Sequence, residues 1–279
     1  MLKSTSLRFH RYRRPILIAA AVLGGVLWLA SQLRPTGPAE GTSLQGEVRQ
    51  PPAAKTLRIG TFNIHGCRGA DDCRDLDRVA QSMEKLDFVA LNEVHGPRPW
   101  ERLDQAGELG TRLGMAWLFA PNTRMWYCLE SGNGLVSALP VSFWQRIPLV
   151  HRSDRGYRNA VLVGLEQGGR TIRVLLTHVT RHDDRSRHEQ LHAVGDLFLS
   201  LAQPAILLGD LNSSAADPEI RRLLDAPGVR DPVGEILGTD DPEAPRRIDW
   251  ILARGMRCVA AGLRDEGASD HPLVWAELE

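Results

Sequence analysis

Polar side chains stand at the ends of runs that should be buried strands. Asn63 closes Leu57–Asn63, and Glu93 ends Phe88-Val89-Ala90-Leu91-Asn92-Glu93. Asp210 and Asn212 follow Ala205-Ile206-Leu207-Leu208-Gly209, and Asp249 lies within Arg247-Ile248-Asp249-Trp250-Ile251-Leu252. Ser269-Asp270-His271-Pro272 opens the last apolar run. Burying such groups is costly unless each is paired or holds a metal. Any one of them alone reads as a structural hydrogen bond, but together they read as a site. Carboxylate and amide oxygens are hard ligands that suit magnesium, manganese or calcium. The neutral Asn and His side chains among them match an anionic phosphate. A metal would neutralise its charge, and the amide and imidazole groups would donate hydrogen bonds to the developing oxyanion.

The ordered series T-x-N-I (61–64), N-E-V (92–94), G-N-G-L (132–135), T-H (177–178), G-D-L-N (209–212), R-I-D-W-I-L (247–252) and S-D-H-P (269–272) resembles the endonuclease/exonuclease/phosphatase superfamily, which includes DNase I, exonuclease III, sphingomyelinases and inositol-polyphosphate 5-phosphatases. The stretch from Asn63 through Arg78 is similar to its compact bacterial branch, and Asn92 stands where Gln is frequent.

That resemblance implies hydrolysis of a phosphate mono- or diester by metal-activated water, with Mg2+ expected and Mn2+ or Ca2+ as alternatives. It makes Glu93 the principal metal ligand, with Asn63 beside it and Asp270 close by. Asp210 would polarise or deprotonate the water, and Asn212 would hold the scissile phosphate. Asp249 and His271 look like the family's Asp–His pair, and His178 like its second histidine, a phosphate ligand or leaving-group acid. Either Asp210 or His271 can be the base. Arg158 falls where many members place a substrate-facing arginine. Tyr127 faces the cleft or caps the core. Asn133 and Gln190 read as structural, His182, His188 and His192 as a solvated helix face, and His65 as a residue beside the cleft.

Elements must bring these residues together. Leu57–Asn63, Phe88–Val94, Ala116–Ala120, Asn133–Val141, Ala160–Glu166, Thr171–Thr180, Ala205–Leu211, Ile248–Ala253, Arg257–Gly262 and Leu273–Leu278 read as strands. Asp75–Leu86, Trp100–Leu113, Arg185–Leu201 and Pro218–Leu224 read as helices. Crossover helices mixed with hairpins give an α+β class with two packed sheets flanked by helices. The resemblance sharpens this to a four-layer α/β/β/α sandwich of the DNase I-like type.

The N-terminus has a different character. Basic residues from Lys3 to Arg14 precede Ile16–Ala30, which carries no charge. Eighteen helical residues would span about 27 Å, slightly short of a hydrocarbon core. The expected organisation is a basic cytoplasmic segment (1–14), a transmembrane signal anchor (15–33), a Pro/Gly-rich linker (34–54) and one catalytic domain (55–279). Basic residues stay in the cytoplasm, so the domain is expected outside, in the periplasm or on the cell surface. A cleaved signal peptide is the rival, with poor cleavage positions, and Arg13-Arg14 only faintly suggests a twin-arginine signal.

Charge limits the partners. The chain holds 34 basic and 34 acidic residues, but seven of the former and two of the latter lie in 1–54, so the remainder is net acidic. With no clear strip of alternating aromatic and basic residues, this disfavours broad nucleic-acid binding. The phosphoester substrate stays open between a lipid headgroup or another envelope phosphoester, a small molecule and nucleic acid, the last disfavoured but not removed. A nuclease acting outside the cytoplasm and a catalytically inactive phosphate-binding module are the alternatives. No obligate protein partner is expected. Cys67 and Cys73, six apart in a Gly/Asp-rich loop, leave a disulfide open.

Overall fold

Short runs of Val, Leu and Ile bounded by Gly, Pro and Asp become strands, because β-branched and aliphatic residues pack well on a pleated, buried surface. The computed structural model describes residues 6–30, 34–47, 55–124, 130–152, 156–238 and 247–279, with backbone alone at 6–13 and 30. In chain order the elements are α1 (Ser6–Ala30), β1 (Arg34–Pro35), β2 (Ala39–Gly41), β3 (Leu57–Asn63), α2 (Leu76–Ser82), β4 (Phe88–His95), α3 (Gln105–Leu113), β5 (Ala116–Pro121), β6 (Thr123–Arg124), β7 (Ser131–Ser137) and β8 (Val141–Pro148). They continue with β9 (Asn159–Gln167), β10 (Arg170–His178), α4 (Asp184–Ser200), β11 (Ala205–Asp210), α5 (Pro218–Leu224), β12 (Val229–Arg230), α6 (Pro232–Leu237), β13 (Asp249–Arg254), β14 (Cys258–Arg264) and β15 (Leu273–Leu278).

Two sheets face each other. One runs β12-β13-β11-β10-β9-β8-β2 and the other β14-β15-β3-β4-β7-β5. Between them Ile59, Phe88 and Ala90 of one meet Val163, Val174, Ile206 and Leu208 of the other. Outside, Val79, Met83 and Leu109 of α2 and α3 cover Val89 and Leu91. On the other side Leu191, Val194, Phe198 and Ile220 of α4 and α5 cover Leu175 and Leu207. The result is the expected α/β/β/α layering.

Two parallel pairs give the sandwich its polarity. β3 lies parallel to β4 and β10 parallel to β11, with α2 and α4 as the crossovers. Each pair therefore delivers both of its C-terminal ends to the same end of the sandwich. β13 runs antiparallel to β11 and starts where β11 stops, with Asp249 opposite Asp210.

Some expectations shift. The helix expected from Trp100 starts at Gln105, because the Asp104 side chain caps it by accepting from the Gly107 N–H. Val141–Pro148, which has no clean alternation, forms β8, paired with β9 on one side and β2 on the other. The described part of 34–54 is not a free linker. β1 pairs with β6, β2 adds an edge strand beside β8, and Gln45 bridges Trp117, so 34–45 strap the same edge of both sheets. Pro35 and Pro38 are compatible with this because edge positions spare them a ladder donor. Cys67 and Cys73 are free thiols. Their loop closes instead through backbone bonds, Gly69 N–H to Cys73 O (3.0 Å) and Asp75 N–H to Cys67 O (2.9 Å). Helix α1 forms, with every described side chain from Arg14 to Leu29 exposed. Among the described residues no helix is long and apolar enough to cross a membrane.

Candidate active site

Strand polarity assembles the site. β3 and β4 deliver Asn63 and Glu93, β10 and β11 deliver His178 and Asp210, and β13 begins with Asp249. Asp270 and His271 lie in the loop before β15. The Asn63 amide spans the two sheets, donating from Nδ2 to Glu93 Oε1 (3.3 Å) and to Asp210 Oδ2 (3.1 Å). Its Oδ1 accepts the His65 N–H (3.1 Å). His178 Nε2 stands 3.5 Å from Asp210 Oδ2. Asp210 Oδ1 accepts the Asn212 N–H (2.9 Å), and Asn212 Nδ2 donates to Val179 O (2.9 Å). His271 Nδ1 and Asp249 Oδ2 are 2.7 Å apart, which leaves the other ring nitrogen for the cleft. Asp270 Oδ1 accepts from Ser269 Oγ (3.2 Å) and lies 3.5 Å from His65 Nδ1.

Backbone strain concentrates here. Glu93 (φ 56°), Asn212 (φ 47°) and His65 (φ 46°) are left-handed, at roughly 1–2 kcal/mol each for a residue with a Cβ. At Glu93 the ladder between β4 and β7 slips its register between Leu91 and Val94. That bulge re-aims the carboxylate out of the sheet. Gly209 adopts φ 142°, and a Cβ there would sit 1.9 Å from Thr177 O, so only glycine lets β10 and β11 approach at this point.

Charges are held far from their ordinary states. Burial, then the neighbouring Asp249 charge, pushes the Asp210 carboxyl up to about 7 against the pull of His271. Burial opposes charge on His271, but the hydrogen bond and charge of Asp249, with Asp210 and Asp270, raise it to about 9. Burial, together with the Arg158 and His271 charges, holds His178 well below the usual histidine range, so it stays neutral. Burial lowers Arg158, while Glu93 and Asp210 pull it back up. Arg158 Nη1 donates to Tyr157 O (3.1 Å), and its buried Nε has no hydrogen-bond partner among the described residues.

The donor set fits a hard divalent cation. Glu93, Asp210, Asp249 and Asp270 bring carboxylates to one strand-end cluster, and Asp249 Oδ1 is buried with no hydrogen-bond partner among the described residues. Asp210, Asp249 and His271 each offer an atom within 4.8 Å of the others. His271 is, however, already committed to Asp249. A cation between Glu93 and Asn63 requires the amide to turn its oxygen inward, giving up the bond from His65 and those to Glu93 and Asp210.

Asn63, Glu93, His178, Asp210, Asn212, Asp249, Asp270 and His271 lie at this end of the sandwich, and Arg158 stands just before β9. Tyr127 lies outside the described residues. Gln190 is taken up by the Thr180 N–H (2.9 Å) and Val150 O (2.8 Å), anchoring the loop after His178. His188 and His192 lie beside Glu219 on the helical surface. Sequence reasoning notes Asn92 but gives neither it nor Asn159 a role, and both are buried beneath the site.

The sequence model of the Endonuclease/Exonuclease/phosphatase family matches residues 60–271. An endonuclease/exonuclease/phosphatase from Beutenbergia cavernae DSM 12333 has a similar structure, with TM-score 0.65 and 24% identity, over 81% of this chain and 72% of that one. The human Nocturnin catalytic domain with bound sulfate anion gives TM-score 0.60 and 16% identity, over 88% of this chain and 98% of that one. D. rerio TDP2 complexed with single strand DNA product gives 0.60 and 18%, over 81% of this chain and 100% of that one. At such identities the structural likeness speaks to the fold. No curated protein matches the sequence.

Proposed function

The chain belongs to the Endonuclease/Exonuclease/phosphatase family, and from that premise we propose that it is a divalent-metal-dependent phosphoester hydrolase. One observation carries this reading: Asn63 joins Glu93 of one sheet to Asp210 of the other, with the Asp249–His271 pair beside Asp210. Glu93, with Asn63 and Asp270, would hold the metal, Mg2+ by ligand hardness and Mn2+ or Ca2+ by the same chemistry. This trio is preferred to Asp210, Asp249 and His271, because His271 Nδ1 is already bonded to Asp249 Oδ2 (2.7 Å). When bound, the metal supplies charge neutralisation at the phosphoryl group and acidifies water.

The chain's own groups do the rest. Asp210 is the base that accepts the proton of the attacking water. Its carboxylate is held by the Asn212 N–H, which fixes its direction. His271 is oriented by Asp249 and donates from its free nitrogen to a phosphate oxygen. Neutral His178 accepts or donates at the phosphate without adding charge, and Asn212 and Arg158 complete the oxyanion contacts.

For substrate we favour a phosphodiester at a membrane surface. Ile16, Leu17, Ile18, Val22, Leu23, Val26, Leu27, Trp28 and Leu29 are each about half or more exposed, on all sides of α1. Basic residues precede them, which supports a helix lying on a membrane surface. The single strand DNA product held by D. rerio TDP2 supports nucleic acid as the second reading.

The test uses the full chain in detergent, with phospholipid vesicles, plasmid DNA, single-stranded RNA and bis(4-nitrophenyl) phosphate, each with Mg2+, Mn2+ or EDTA. Metal-dependent turnover is expected, reduced by about 10³-fold in Glu93→Ala. Preferred cleavage of the lipid or the nucleic acid chooses between the substrates. Turnover insensitive to EDTA would sink the metal reading.

A further inference from the structure

Beneath the site, three buried asparagines are linked in a chain that passes back and forth between the sheets. Asn92 (β4), Asn133 (β7) and Asn159 (β9) are 0–1% exposed. The Asp210 N–H donates to Asn92 Oδ1 (2.9 Å). Asn92 Nδ2 donates to Asn133 Oδ1 (2.9 Å) and to Thr177 O (3.1 Å). Asn133 Nδ2 donates to the Asn159 Oδ1 and O (both 2.9 Å). Asn159 Nδ2 ends the chain on Ala120 O (3.2 Å) and Pro121 O (3.1 Å), and Pro121 O also accepts the Thr36 hydroxyl of the N-terminal strap.

The direction of the chain is set throughout. Each Oδ1 accepts and each Nδ2 donates, so no amide can turn over without losing bonds on both sides. Leucine has the same branched side-chain skeleton and no desolvation cost, so packing alone would not select three amides in the core of a sandwich.

The position of Asn92 gives the chain its purpose. At Gly209 (φ 142°) the backbone leaves ordinary strand geometry, and the next N–H, that of Asp210, meets the facing sheet rather than a neighbouring strand. Asn92 captures it. Asn92 is also covalently joined to Glu93, and its own carbonyl accepts the Ile64 N–H (3.0 Å), directly after Asn63. One residue thus holds the backbones of Glu93 and Asp210, which come from different sheets, in a single relation. Asn133 and Asn159 brace it against β9 and β5.

We propose that Asn92, Asn133 and Asn159 are positioning residues: the amide chain sets the spacing of the two sheets at the catalytic end, and through it the relation of Glu93 to Asp210. The proposal rests on the hydrolase reading above for its kinetic consequence, but not for its structural one.

The test replaces the middle link, Asn133→Leu, in the full chain. On bis(4-nitrophenyl) phosphate kcat should fall about 30- to 100-fold, as expected for misplaced groups, while KM stays within about threefold. Exchange of the Asp210 backbone N–H, followed by NMR, should become at least about 100-fold faster, as for an opened buried hydrogen bond. Phe198→Leu, in the outer layer under α4, is the control for lost stability and should leave kcat within about threefold. If Asn133→Leu fails to fold, Asn159→Ser cuts the last link and is held to the same criteria. The proposal is overturned if kcat stays within threefold, if the control loses as much, or if Asp210 exchange does not change. Should the unaltered chain turn over nothing, the hydrolase reading fails by itself and Asp210 exchange alone decides this one.

Discussion

The two ends of the sandwich are built from the same strands and obey opposite rules. At the end where β3 begins, charges sit nearer the surface, in an ion pair and a backbone hydrogen bond, although burial raises Asp87. Arg58 Nε lies 3.2 Å from Glu277 Oε2, and the Arg58 N–H donates to Asp87 Oδ2 (2.8 Å). At the other end Asn63, His178, Asp210 and Asp249 are buried, Glu93 and Asn212 are left-handed, and Asp249 keeps an oxygen with no hydrogen-bond partner among the described residues. Only the first end is arranged for stability. The second carries strain and desolvated charge, as expected where a site is preorganised for a ligand.

Asp210→Asn should separate the two ends most sharply. Activity should fall about 10³-fold, while Tm at pH 8 in EDTA stays level or rises, because a carboxylate that resists charging is removed. A large fall in Tm would mean that Asp210 is a structural residue.

A smaller effect should follow pH. His271 is raised from 6.5 to about 9, so its contribution is complete below 6.5 and lost as pH climbs through 9. Asp210 is raised from 3.8 to about 7, so it too withdraws stability as pH climbs, over the interval below His271. Neutral His178 works the other way and gains stability as pH climbs through 6.5, so the metal-free protein should lose Tm from about pH 7 to 9, and Asp249→Asn should flatten that slope. Saturating Mg2+ should also shrink it, since a bound cation offsets the crowded carboxylates. A Tm that rises over this range in EDTA would contradict the charge assignments.

The smallest effect belongs to the opposite end. Arg58→Ala should cost under about 1 kcal/mol by chemical denaturation and leave kcat unchanged, because an exposed ion pair is worth little. A measurable loss of kcat would mean that the two ends are coupled through β3.

Much of the catalytic end is legible without a structure. A carboxylate or amide closing an apolar run stands out in the sequence, as Glu93, Asp210 and Asp249 do. So do β3, α5 and β15, to the residue, since their patterns are strong and locally bounded. β8 escapes because its partners lie on both sides and its alternation is broken, and α6 because six residues are too few to show a period. The strap looks like a linker because Pro and Gly signal irregular backbone but do not say where it docks. Cys67 shows the same limit: six residues from Cys73, yet buried, with its thiol pushed up to about 12 by burial.

Pattern and spacing are enough to settle which residue types gather at strand ends, the order of the elements and the family, because those are local properties of the chain. Contacts between the two sheets were needed for the rest: that Asn63 bridges Glu93 and Asp210, that Asn92 catches the Asp210 N–H, and that the strap reaches the amide chain through Pro121. Each of these joins positions far apart in the chain. An Asn inside an apolar run looks like a defect until the facing sheet supplies the donor that only it can satisfy.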